Sequence, residues 1–300
     1  MKKYTLNADL MLLMVAIIWG TGFIAVEYAF DAGMSATLIL AIRFTLAAFI
    51  LLAVTFKDIK KISKTEWVKG SIAGVFLFLG FYLQTVGQTL TTVSNSAFIT
   101  TTNVIMVPFI VWIIAKRRPS LKIVLLACLT FVGVTILTWS SAGGLSFNVG
   151  DIYILLCAIA FACHIAYLEL AVKGHSAKYI TFIQISVAAV LSLAGLVMSG
   201  ENPLHQVNLA QGLPPVIYLG LFSTCLCFFI QTSAQKRTTA SKAGIIMSTE
   251  GFFGTLFSIL LGMEPLTTKV VIGGVIILTA VILTEVKFDN KKKALADLPN

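Results

Sequence analysis

The chain has 300 residues, 58% of them hydrophobic and 12% charged, with a mean hydropathy of +0.94. That leaves too little polar surface to cover a water-soluble globule and defines a polytopic membrane protein. The formal net charge of +9 does not indicate nucleic-acid binding, because the basic residues sit between apolar runs and not on one face with stacking aromatics among them.

A spanning helix needs about 20 mostly apolar residues. Ten such segments are predicted in chain order, at about 9–30, 35–56, 67–88, 95–115, 121–138, 150–170, 178–198, 213–233, 240–261 and 268–284. Lys2 and Lys3 precede a long apolar run with no Ala-x-Ala-type cleavage site, so the first segment reads as an uncleaved helix. The longest loops, 57–66 and 199–212, are too short for a separate catalytic module. Cys128, Cys157, Cys163, Cys225 and Cys227 all fall inside hydrophobic segments, which argues against a disulfide framework or a metal cage.

Lys and Arg set the orientation. With both termini and every second loop on one side, 20 of the 22 basic residues fall there, within 2–3, 57–69, 116–122, 173–178, 236–242 and 287–293. Only Arg43, inside the second segment, and Lys269 fall elsewhere. Both termini are therefore expected in the cytoplasm.

The stretch 81–103 occurs twice. At a shift of 147, Phe81, Gln84, Thr85, Gln88, Thr91, Thr92, Ser94, Ile99 and Thr102 fall on Phe228, Gln231, Thr232, Gln235, Thr238, Thr239, Ser241, Ile246 and Thr249, nine identities in a window of 23. Polar residues inside apolar runs are costly in a bilayer, so their recurrence at one ungapped spacing marks a unit used twice. The match extends to Asp9 and Glu27 on Asp151 and Glu169 at a shift of 142, and to Ser35 and Ile42 on Ser176 and Ile183 at 141. Each unit then holds five helices, and an odd number makes the second enter the membrane from the opposite side. The expected fold is an all-α membrane protein of ten transmembrane helices in two inverted five-helix repeats, over 8–140 and 148–286, with a basic cytoplasmic tail at 287–300.

The run Ile18-Trp19-Gly20-Thr21-Gly22-Phe23, the run Ala41-Ile42-Arg43-Phe44, the stretch from Thr92 to Thr100 with Val107-Pro108, and the stretch from Gly262 to Thr267 resemble the EamA-type branch of the drug/metabolite transporter superfamily. The resemblance covers nearly the whole chain. It implies ten helices, the inner (plasma) membrane, and movement of small metabolites, typically export of amino acids or related compounds. Three positions depart from its pattern: Gly251 where proline is frequent, Arg117 where an acidic residue is common, and Asn95 where the second repeat has Lys242.

Candidate site residues follow from depth. Glu250 lies about ten residues into its helix, roughly 15 Å deep in a hydrocarbon core of about 30 Å, so its carboxylate must face protein or water. Its repeat mate is Asn103. The pair reads either as part of a substrate site, with Glu250 binding an amine or carrying a proton, or as a helix-to-helix hydrogen bond. Gln84 with Gln88 and Gln231 with Gln235 are amides at i and i+4, each pair on one face. Gln84 and Gln231 either line the two halves of a path or bond neighbouring backbone, whereas Gln88 and Gln235 read as structural. Trp19 and Tyr82 are pocket wall or plain core. His164 is a proton relay or a satisfied core histidine. Glu27 and Glu169 are expected to snorkel at helix ends, and Arg43 to pair with Glu27. Gly70-x-x-x-Gly74 permits close helix approach, within the monomer or in a homodimer, and Pro108 is expected to kink the fourth helix.

The leading expectation is a secondary active transporter that moves a small amino-acid-like metabolite by alternating access, proton- or exchange-coupled, with the bilayer and that substrate as partners and no cofactor. No Gly-x-x-x-x-Gly-Lys-Ser/Thr loop is present, so ATP does not drive it directly. The alternatives are an intramembrane enzyme, for which no His-Glu-x-x-His or Ser/His spacing is found, and a passive channel.

Overall fold

The computed structural model describes residues 2–91, 96, 99–138, 148–200, 202, 205–262 and 265–285, and among these no strand occurs. The helices are α1 (Lys2–Asp31), α2 (Ala36–Thr55), α3 (Lys64–Gln88), α4 (Ile99–Ala115), α5 (Leu121–Thr138), α6 (Val149–Ala171), α7 (Ala177–Met198), α8 (Leu209–Gln235), α9 (Ala240–Leu260) and α10 (Thr268–Glu285). Seven are long and apolar enough to cross a membrane, and α4, α5 and α10 are shorter apolar helices. A helix satisfies its own backbone polar groups, which is why apolar chain in lipid takes this form. Large apolar side chains such as Phe49, Val190 and Ile282 stay exposed on the outside, as a lipid-facing surface allows.

Helix starts are set by local chemistry. The first N–H groups of a helix lack intrahelical partners. Ser63 with Glu66 caps α3, and Asn148 with Asp151 caps α6, each by a reciprocal capping box. Asn208 and Thr239 accept from the N–H groups of Gln211 and Lys242 at the starts of α8 and α9. The Asn208 cap begins α8 before the predicted position 213, and Pro214 and Pro215 fall inside the helix, where each removes one N–H from the ladder ahead of the π segment.

Three interruptions were not predicted. α8 widens into a π-helix over Leu219–Leu226. α9 breaks at Ser248 and Thr249 and resumes at Glu250, and α4 breaks at Thr102 and resumes at Asn103. The last two breaks are repeat mates with one construction. The Thr102 hydroxyl and N–H both return to Ile99 O, at 2.7 and 3.1 Å, and those of Thr249 both return to Ile246 O, at 2.7 and 3.2 Å. A threonine that bonds back three residues tightens the turn and diverts the helical ladder. The interruption of α4 thus falls ahead of Pro108, and the two copies are interrupted in the same register. Thr92, Ser94, Asn95 and Glu264 lie outside the described residues.

The helices pack in reciprocal pairs. α3 lies on α6 as α8 lies on α1; α3 touches α7 as α8 touches α2; α4 meets α6 as α9 meets α1; and α2 meets α7, α4 meets α9 and α5 meets α10. Glycines set the depth of the α3 contacts. A Cβ at Gly70 would come within 2.6 Å of Ile183, and one at Gly74 within 2.7 Å of the Gln184 carbonyl. The GxxxG spacing therefore seats α7 within one chain and carries no evidence for a dimer. Gly74→Leu should separate α3 from α7 and destabilise the fold by roughly 1–3 kcal/mol; thermal unfolding in detergent measures this, and an unchanged midpoint would refute it.

Candidate functional site

The breaks in α4 and α9 open on one interior cavity of about 70 Å³. Since one water needs roughly 10–15 Å³ on this measure, the space holds a few waters or a small solute. Trp19 of α1, Arg43 of α2, Gln84 of α3, Asn103 of α4, His164 of α6, Gln231 of α8 and Glu250 of α9 all line it, with Phe81, Phe161 and Phe228 as apolar wall. Tyr82 stands off this wall, stacked on Phe78 at 5.6 Å between ring centroids.

Asn103 and Glu250 are each the first residue of a half-helix. The first turn of a helix is the place where backbone N–H groups run short of partners and the helix dipole is electropositive, although the Ile105 N–H returns to Thr102 O at 3.1 Å. The Glu250 carboxylate accepts no hydrogen bond and forms no ion pair among the described residues. Its placement depends on the crossing of α1 and α9, where a Cβ on Gly20 would lie 2.7 Å from Gly254 N and 2.9 Å from Glu250 O. Gly20→Ala should therefore push the second half of α9 away and cost about 1–3 kcal/mol. Equal thermal unfolding midpoints for Gly20→Ala and the parent protein would contradict this.

The π segment of α8 holds two other wall residues. Trp19 Nε1 donates to Ser223 O at 2.8 Å, and its ring lies against Phe228 at 5.3 Å. Arg43 does not pair with Glu27, contrary to expectation. Its Nε donates to Thr224 Oγ1 at 3.0 Å and an Nη to Ser223 Oγ at 3.3 Å, and its guanidinium lies 4.4 Å from the Phe81 ring centroid. The fold turns Arg43 inward while Glu27 is exposed and accepts from Gln88 Nε2.

The amides divide. Gln84 Nε2 donates to Thr100 Oγ1 at 3.3 Å, and Gln231 Nε2 donates to Gln235 Oε1 at 3.1 Å. Gln231 Oε1 is buried without a partner. Gln235 Nε2 reaches the backbone at Ile165 O, whereas Gln88 also borders the cavity. His164 has its Nε2 2.9 Å from Gln184 Oε1, and Gln184 Nε2 donates to Thr232. His164 is buried and lines the cavity.

At the end where the basic residues gather, ion pairs tie the two halves together. Asp9 pairs with Lys242 at 2.7 Å, and Asp58 pairs with Lys178 and Lys61. Glu169 does not snorkel: it is 3% exposed, pairs with Arg117 at 2.6 Å and Lys173 at 3.3 Å, and accepts from the N–H of Ala240 at 2.8 Å.

Sequence reasoning missed Arg43 as cavity wall, the π segment and the Glu169 hub. The repeat register held one signal for the first: at a shift of 141 Arg43 falls on Gln184, a charge against an amide.

Two helices of this chain are thus interrupted beside one cavity of mixed polar and apolar lining, and the class of the protein is a membrane transporter. The chain belongs to the EamA-like transporter family, whose model matches residues 6–139 and again residues 148–286. An uncharacterized transporter of Archaeoglobus fulgidus is 33% identical over 286 residues, covering 94% of this chain and 87% of the relative. A protein of known crystal structure superimposes with a TM-score of 0.77 over 93% of this chain and 96% of its own, at 15% identity, a likeness of fold alone.

Proposed function

We propose that the protein is a secondary active transporter that exports a small amino-acid-like metabolite by alternating access, coupled to protons or to exchange. The observation that carries this is the pair of matched helix breaks, Thr102/Asn103 and Thr249/Glu250, on one cavity. Discontinuous helices at the interface of two repeats give a solute polar backbone ends to bind inside the membrane, and rocking of one repeat against the other exposes that site to each side in turn. The reciprocal packing of the main helix contacts supports two related five-helix units, 8–140 and 148–286, and an odd number of helices in each would set the second inverted across the membrane. The charge distribution supports cytoplasmic termini and the 287–300 tail on that side, and an inner (plasma) membrane location fits the family.

The test is counterflow in proteoliposomes. Purified full-length protein, with vesicles preloaded by amino acids that its overproduction renders non-toxic to cells, should accumulate labelled solute saturably and without ATP. Flux that never saturates would point to a channel, and covalent change of the solute without movement to an enzyme.

A further inference from the structure

The cavity carries one basic and one acidic side chain, drawn from opposite halves of the chain. Among its described lining residues Arg43 is the only Lys or Arg and Glu250 the only carboxylate. No ion pair joins them. Each has a neutral repeat mate: Arg43 falls on Gln184 at a shift of 141, and Glu250 on Asn103 at 147. The related frame is thus broken twice, in opposite sense, at positions that share one hollow.

Arg43 is held without being neutralised. It is 2% exposed, and the acceptors it bonds, the Thr224 and Ser223 hydroxyls, are uncharged. A guanidinium has five N–H donors in a planar fork, and these bonds use two of them. A buried charge with no counter-ion is expensive, and a carboxylate engaging the fork by two parallel bonds is the ligand its geometry fits best. The matching acceptors lie on α8 and α9. Gln231 Oε1 is buried with no hydrogen-bond partner, and the Glu250 carboxylate accepts no bond among the described residues. Two acceptors without a partner, one of them a carboxyl group, suit an ammonium group.

We propose that Arg43 is the specificity-determining residue of this site, binding the carboxylate of the solute while Glu250 and Gln231 hold its protonated amine. This rests on reading the cavity as the transport site, and it adds that Arg43 selects for the carboxylate.

The test uses matched probes on the full-length protein. Each of the common L-amino acids is compared with its decarboxylated amine and with its deaminated acid, by thermal-shift titration in detergent and by competition in proteoliposomes. In the parent protein at least one amino acid should bind about tenfold or more tighter than either analogue. Arg43→Gln should erase the preference for amino acid over amine while leaving the amine's affinity unchanged. Arg43→Lys, which keeps the charge and loses the fork, should retain part of it. A parent protein that binds the amine as well as the amino acid, or binds none of the probes, overturns the proposal; so does an Arg43→Gln variant that weakens both probes alike. The comparison in the parent protein decides even if Arg43→Gln does not fold. Carboxylate-dependent binding without counterflow would reject the transport reading and leave the Arg43 assignment standing, whereas counterflow of solutes lacking a carboxylate would do the reverse.

Discussion

Glu250→Gln should reduce net transport in proteoliposomes by about 100-fold while the protein still inserts and unfolds at a similar temperature. The size follows from the environment: removing one charged partner from a desolvated site costs about 2–5 kcal/mol, and every 1.4 kcal/mol is a factor of ten. Little fold stability should be lost, because the Glu250 carboxylate bonds to no described side chain or backbone group. The variant also separates the two roles open to this group. If Glu250 binds an amine, binding itself weakens and the effect appears in KM. If it carries the coupling proton, solute exchange survives, net uphill transport stops, and the pH dependence of the rate flattens. Unchanged rate together with unchanged pH dependence in a folded variant would remove Glu250 from the site. Asn103→Ala should have a smaller effect, since the half-helix end it occupies carries no side-chain charge.

The second large effect is expected at Glu169. This buried carboxylate joins three places: Arg117 after α4, Lys173 after α6, and the Ala240 N–H at the start of α9. Arg117 and Lys173 are about half exposed, with side chains 47% and 57% accessible, so solvent screens those pairs and each is worth little. The bond to the Ala240 N–H is the stronger element, being charge-assisted, buried and aligned with the positive end of a helix dipole. Glu169→Ala should therefore destabilise the protein by roughly 2–4 kcal/mol, mostly by stranding that N–H. It should also free the start of α9, and with it Glu250 ten residues on, so that a cysteine placed at Ser248 labels faster from the side carrying the basic loops. Wild-type stability together with wild-type labelling would show that the hub does not brace this end. Glu27, the repeat mate of Glu169, should tolerate alanine with a far smaller loss, because it is exposed and, among the described residues, accepts only from Gln88.

The contrast between these mates shows where reading the chain stops. Glu27 and Glu169 occupy equivalent positions in the two repeats and were indistinguishable by depth, hydropathy and register. One faces outward and the other lies among Arg117, Lys173 and Ala240, because the loops that surround them differ. Arg43 is a second example. Its nearest acidic neighbour along the chain is Glu27, yet its partners Ser223 and Thr224 are some 180 residues away and reach it only through the π segment of α8.

Hydropathy, the positions of Lys and Arg and the 147-residue repetition are properties of the chain itself. They were enough to define a helical membrane protein, to locate its apolar segments, and to single out Glu250, Asn103, Gln84, Gln231, Trp19 and His164. Bilayer physics makes these features legible, since an apolar solvent forces backbone bonds inside each helix and makes every buried polar side chain conspicuous. The helix breaks at Thr102 and Thr249, the convergence of seven helices on one hollow, and the inward turn of Arg43 were decided only by tertiary structure. Those features depend on how closely Gly20 lets α1 approach α9 and on which carbonyls the π segment releases, and such distances between chain-remote backbones leave no period or pattern in the sequence.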